Sequence, residues 1–120
     1  MNQLTYAVTG VASGIGADLA RILSARGHRV IGLDIRETAE GLDRFVALDL
    51  NDSESIRQAA NAIGEPLDGF CNNAGLPPRD GLEETILQVN FLGTRALTQA
   101  VLPLLRKDAS IVNMASRDGH

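Results

Sequence analysis

The sequence predicts an α/β protein built on a doubly wound parallel sheet with strand order 3-2-1-4-5. Three observations predict it. Short apolar runs rich in β-formers alternate with stretches of helical periodicity. The first run passes through a glycine-rich turn straight into a helix. Strands that alternate with helices connect by right-handed crossovers, which places helices on both faces of a parallel sheet.

The expected strands are Leu4–Val8, Val30–Leu33, Phe45–Leu48, Gly69–Cys71 and Ile111–Met114. Ile15, Leu19, Ile22 and Leu23 share one helical face, with Asp18, Arg21 and Arg26 elsewhere, and Gly27 offers a left-handed stop, so a first helix is expected over 15–26. Asn51 with Glu54 three residues on resembles a capping box, opening a second helix through Ile56, Ala59, Ala60 and Ile63 that Gly64 and Pro66 end. A long helix is expected from Leu82 to Arg106, carrying Ile86, Val89, Leu92, Leu97 and Val101, with Pro103 kinking its last turn. Segment 34–44 is too short and polar for more than a turn of helix, and 77–81 reads as a loop.

Thr9-Gly10-Val11-Ala12-Ser13-Gly14-Ile15-Gly16 is the stretch richest in chemistry. Its glycines let the backbone turn sharply and let a phosphate approach without meeting a Cβ. The helix behind them points unpaired N–H groups and a positive dipole end at an anion. The spacing is G-x-x-x-G-x-G and not G-x-G-x-x-G, so taken alone it reads equally as a dinucleotide site or as an ordinary strand–helix turn. A P-loop needs a Lys after its last Gly, and the only Lys in the chain is Lys107. In a 3-2-1-4-5 sheet a ligand lies beyond the carboxyl ends of the strands, at the switch between strands one and four, where Gly10 and Asn72–Gly75 fall.

Composition narrows the classes. A net charge of -4 and only four aromatic residues, three Phe and one Tyr, argue against nucleic acid or an anionic membrane as partner. No apolar run approaches a membrane span. One cysteine, Cys71, makes no intrachain disulfide, and the chain opens on no charged leader with a long apolar segment, so a cytoplasmic location is expected. Two histidines and one cysteine far apart offer no metal site. Cys71 is expected as a buried strand residue and His28 as a loop residue.

Several motifs in register resemble the short-chain dehydrogenase/reductase family along the whole chain. The turn at 9–16 is similar to that family's cofactor turn, Asn72-Asn73-Ala74-Gly75 to its strand-four motif, Asn90 to its active-site helix asparagine, and Ile111-Val112-Asn113-Met114-Ala115-Ser116 to the strand that delivers its catalytic serine. The resemblance implies a Rossmann-type fold and hydride transfer between a nicotinamide cofactor and a small-molecule alcohol or carbonyl. It implies cofactor contacts from Thr9, Gly10, Ser13, Gly14, Ile15, Gly16, Asp34, Ile35, Asp49, Leu50, Asn73, Ala74 and Gly75. It also implies a substrate-orienting Ser116 and, at Asn90, a main-chain carbonyl that holds a water of the proton relay in a locally kinked helix. Read without the family, Asn90 is a satisfied interior polar group, Ser116 a loop residue and Asp49 a turn or cap ahead of Asn51.

Asp34 ends strand two, 18 residues past Gly16, where a carboxylate accepts ribose hydroxyls and repels a 2′-phosphate. NAD is therefore favoured over NADP, although nearby Arg36 could host that phosphate. Residues 27–36 are similar to bacterial hydroxysteroid dehydrogenase/carbonyl reductase members, and a steroid or other hydrophobic alcohol is the substrate they suggest. The family's Tyr-x-x-x-Lys is absent: Tyr6 lies in strand one and Lys107 on the long helix, so neither substitutes. The expectation is an incomplete dinucleotide-binding domain, 1–120, from a longer dehydrogenase, inactive alone, with strand five an open edge. The alternative is a stand-alone nucleotide-binding or oligomerising half-fold. Family members assemble as homo-oligomers, and the apolar stretch 82–105 is the expected interface.

Overall fold

The computed structural model describes residues 3–12, 14–73 and 88–114, and of 88–90 the main chain only. Its elements run β1 (Thr5–Thr9), α1 (Gly14–Ala25), β2 (Arg29–Asp34), β3 (Arg44–Ala47), α2 (Ser53–Ile63) and β4 (Leu67–Asn72). A π-helical turn (Gln88–Gly93) then leads into α3 (Thr94–Val101), a 3-10 turn (Leu102–Leu104) and β5 (Leu105–Asn113). The five strands form one sheet in the order β3-β2-β1-β4-β5, all parallel, as the crossover argument expects.

Strand alternation sorts the core into two layers. Ala7, Ile31, Leu33, Val46 and Phe70 face α2 and α3, where they pack with Ile56, Ala59, Ala60, Ile63, Leu97 and Val101. Val8, Val30 and Cys71 face the other way, with Ala20 of α1 and the half-buried Leu19, Leu23, Leu42 and Phe45. Helices thus cover both faces of the strand pair whose ends make the crevice. Residue 69 must be glycine because Tyr6 lies over it: a Cβ there would sit 2.5 Å from the Tyr6 ring.

Caps explain the helix ends. At the end of α1, Gly27 at φ 87° lets its own N–H reach Ser24 O and the His28 N–H reach Leu23 O, the double bond of a Schellman stop. The N-cap of α2 is Asp52 and not Asn51. Its Oδ1 accepts from Glu54 N at 3.0 Å and Ser55 N at 3.4 Å, while the Asn51 N–H is drawn back to the Asp49 carboxylate at 2.9 Å. The two residues are equally good capping types; the turn at Asp49 decides between them. Gly64, at φ 56°, closes α2.

The expected helix 82–106 is corrected. Helical structure gives way at Val101, and Pro103 sits inside a 3-10 turn, where its missing N–H ends the i→i−4 ladder. Leu105 already pairs with Leu67, so β5 starts six residues before Ile111, and Lys107 lies on a strand and not on a helix. Between the pairs Leu67–Leu105 and Gly69–Ser110, β4 advances two residues while β5 advances five. That irregular, polar stretch has no period-2 alternation to read. Loop 77–81 and the helical start at 82–87 lie outside the described residues. Ile111, Val112 and Met114 on β5 and its continuation are exposed.

Candidate functional site

The carboxyl ends of β1, β2 and β4 converge on the glycine turn. Gly10, at φ 74°, donates its N–H to Leu33 O at 2.8 Å, so the turn starts by docking on β2. Gly14, at φ 63°, has no atom of the described residues within 4 Å of where a Cβ would point. Gly16 is the opposite case. A Cβ on it would fall 2.1 Å from the Gly10 carbonyl oxygen and 2.6 Å from Asn73 Nδ2, so the first turn of α1 presses directly on β1 and on the end of β4. The result is a helix N-terminus held against the ends of β1 and β4, the kind of position at which the free N–H groups of a first helical turn favour an anion.

Asp34 closes the turn from the β2 side. One carboxylate oxygen accepts from Ala12 N at 3.0 Å and the other from Arg36 N at 3.0 Å. A carboxylate has about four acceptor sites, so this pinning leaves capacity for further hydroxyl donors. Ile35 beside it is 69% exposed, and Ile15 is also exposed. Asp49 is held as a turn residue, its Oδ1 taking the Asn51 N–H and its own N–H reaching Ser55 Oγ at 2.9 Å. Leu50 is buried in the core layer against α2, so anything it offers a ligand comes from its main chain.

Across the crevice, Thr9 is buried and its hydroxyl accepts the Asn73 N–H at 2.8 Å, tying the ends of β1 and β4. Asn72 is 4% exposed and spends both hydrogens of its carboxamide, one on Asn113 Oδ1 at 2.8 Å and one on Thr98 Oγ1 at 3.0 Å. Thr98 and Asn113 are contributors that the sequence reading missed, because they lie 26 and 41 residues away in the chain. Asn90 falls in the π-helical turn, where wider i→i+5 bonding precedes the α ladder of α3; such turns recur at functional sites. Ser13, Ala74, Gly75 and Ser116 lie outside the described residues.

Away from the crevice, the side chains at the other end of the strands form an ion cluster. Glu65 accepts from Arg29 Nε at 2.8 Å and from an Arg44 guanidinium nitrogen at 2.9 Å, and Arg44 also caps the Ile63 carbonyl of α2. The Arg29 hydrogen bond chiefly holds the Glu65 carboxyl below its ordinary value, against burial. Burial pushes the Cys71 thiol up and keeps it a packing residue. His28 accepts the Leu4 N–H on Nδ1 at 3.1 Å and meets the Tyr6 ring edge-on, ring centres 5.5 Å apart. Among the described residues, no three His, Cys, Asp or Glu side chains cluster to hold a metal, and no helix is long and apolar enough to cross a membrane.

Sheet order, glycine turn and crevice together define a Rossmann-type α/β domain. The short chain dehydrogenase family model matches residues 5–120, and the chain belongs to that family. It is similar to a coniferyl-alcohol dehydrogenase of Pseudomonas sp., 44% identical over 91% of this chain and 42% of that one. It also matches a 3-alpha-hydroxysteroid dehydrogenase/carbonyl reductase of Comamonas testosteroni, 35% identical over 83% of this chain and 38% of that one. Among solved structures, a short chain dehydrogenase from Salmonella enterica superposes with a TM-score of 0.83 at 30% identity, covering 97% of this chain and 59% of that one. A second, from Escherichia coli CFT073 and complexed with NADPH, gives 0.83 at 30% identity, covering 97% and 60%. The chain spans about two-fifths of the length of the two curated relatives.

Proposed function

We propose that this chain carries the cofactor-binding part of an NAD-dependent oxidoreductase acting on a hydrophobic alcohol or carbonyl compound. The observation that carries the reading is the glycine turn itself: clear of the other described residues at Gly14, clamped at Gly16 against Gly10 and Asn73, and bordered by the Asp34 carboxylate. Those residues fit a dinucleotide. N–H groups of the turn and of the first turn of α1 would hold the diphosphate, Asp34 the adenosine ribose, and Ile35, Asp49 and the Leu50 main chain the adenine. Thr9, Gly10, Ser13, Ile15, Asn73, Ala74 and Gly75 would line the rest of its path.

When bound, the nicotinamide accepts or supplies the hydride. This chain's own part is to orient and to hold protons: Ser116 hydrogen-bonds the substrate oxygen, and the Asn90 main-chain carbonyl holds a relay water. The names of the coniferyl-alcohol and hydroxysteroid relatives support an alcohol or carbonyl substrate with an apolar body. The 120 residues contain no Tyr-x-x-x-Lys, so we propose that a polypeptide of these residues alone binds cofactor weakly and turns over nothing, and that the working enzyme is a cytoplasmic homo-oligomer.

The test is a titration of the polypeptide with NADH and NADPH, followed by nicotinamide fluorescence. NADH is expected to bind about tenfold more tightly than NADPH, and Asp34→Ser to erase that difference. Absence of binding by either dinucleotide would overturn the reading, and tighter binding of NADPH would overturn the NAD assignment.

A further inference from the structure

Thr98 has no part in the reading above, yet its hydroxyl joins α3 to β4, and through the Asn72 carboxamide to β5. It accepts from Asn72 Nδ2 at 3.0 Å and donates to Thr94 O at 2.8 Å, while the second Asn72 hydrogen goes to Asn113 Oδ1 at 2.8 Å. The donors run one way. A carboxamide nitrogen has two hydrogens and a hydroxyl one, so all three are spent, outward from β4 to β5 on one side and to α3 on the other.

The carbonyl at the end of this chain belongs to Thr94, the first residue of α3, immediately after the π-helical turn Gln88–Gly93. Here i→i+5 bonding changes to i→i+4. A threonine hydroxyl that back-bonds to the residue four before it bends a helix slightly and competes with the ladder. At this position it also carries a tether to the sheet. The first turn of α3, which follows directly on the π-turn, is therefore tied to the end of β4 through this hydroxyl, beside the packing of Leu97 and Val101 on the sheet.

We propose that Thr98 is a positioning residue, whose hydroxyl holds the π-turn containing Asn90 in register with the carboxyl ends of β4 and β5. Its consequence for chemistry rests on the proposed function, because the strand ends so aligned lead into Asn73 and Ser116. The positional claim itself concerns the chain alone.

Amide hydrogen exchange on the 120-residue protein tests it with two variants. Thr98→Val keeps the shape and deletes the hydroxyl; Thr98→Ser keeps the hydroxyl. In the valine variant, exchange over 88–94 is expected to quicken about tenfold relative to β1 and β2, and the serine variant is expected to restore wild-type rates. A uniform change across the whole chain, or a serine variant no better than valine, would overturn the proposal. NADH binding by the wild-type chain is measured in parallel. Its absence would refute the proposed function and leave the exchange comparison as the test of Thr98.

Discussion

Replacing Gly16 by alanine tests the architecture of the turn most directly. The new Cβ would lie 2.1 Å from the Gly10 carbonyl oxygen, 2.7 Å from the Gly10 carbonyl carbon and 2.6 Å from Asn73 Nδ2. A tolerable carbon–oxygen approach is about 3.3 Å, so α1 must retreat from β1 by roughly 1 Å. Two of the three obstacles are backbone atoms and cannot rotate away. Overpacking of this kind costs about 1–3 kcal/mol, here at the upper end, and alanine returns up to about 1 kcal/mol of helix propensity. We expect a net loss of about 2 kcal/mol, on the order of 10 °C in Tm for a chain of this size. Gly32→Ala is the control. Its Cβ would meet the Leu42 methyls at 2.6 Å and 2.7 Å and a buried Val11 methyl at 2.8 Å; all three are side-chain and not backbone atoms, and the Leu42 methyls can turn aside, so its loss should stay at the lower end of the overpacking range, about 1 kcal/mol. Urea denaturation of both variants reads the difference, with NADH titration alongside. If Gly16→Ala proves no less stable than Gly32→Ala and keeps NADH affinity, the turn is not clamped in the way described.

Other perturbations follow from the same geometry. Glu65→Gln should cost about 1 kcal/mol at pH 7, a modest figure because Glu65, Arg29 and Arg44 are 26%, 32% and 34% exposed. Since the Glu65 pKa is lowered in the folded state, its contribution is complete above the ordinary value of 4.5 and lost as pH falls through the lower folded value. The wild-type and variant denaturation midpoints should therefore converge only below pH 4.5, and convergence already at pH 6 would contradict the assignment. Asn72→Leu leaves Asn113 Oδ1 and Thr98 Oγ1 without their shared donor, and a loss of about 2 kcal/mol is expected by urea denaturation; a change below about 0.5 kcal/mol would show the clamp to be dispensable. Asp34→Ser removes the acceptor of the Ala12 and Arg36 N–H groups as well as the proposed ribose partner, so NADH affinity should fall while NADPH affinity holds or rises, read by the same fluorescence titration.

Where sequence reading succeeded, the cause of the structure was local. The five strands sit within a few residues of their apolar runs except at β5, and the 3-2-1-4-5 order follows from alternation and crossover handedness. Glycines 10, 14 and 27, each at positive φ, are positions where the chain turns and only a residue lacking a Cβ adopts the angle cheaply. Gly16 shows the limit of that reading. Its spacing marked it as part of the turn, but the reason for glycine there is the approach of Gly10 and Asn73, and Asn73 comes 57 residues later.

Where it fell short, two acceptable local choices competed or the partner was distant. Asn51 and Asp52 are adjacent capping types, and only the Asp49 turn chose between them. The polar start of β5 carried no alternation, yet pairing with β4 makes it strand from Leu105. Composition, periodicity and turn chemistry determined the α/β class, the strand order and the place of the glycine turn, because each acts within a few residues of the chain. Tertiary structure alone decided the Asp34 latch on Ala12, the Asn72–Thr98–Asn113 clamp and the Arg29–Glu65–Arg44 cluster. These pairings join residues 21 to 41 positions apart, and parallel strands bring such residues together only after the crossovers have set their register.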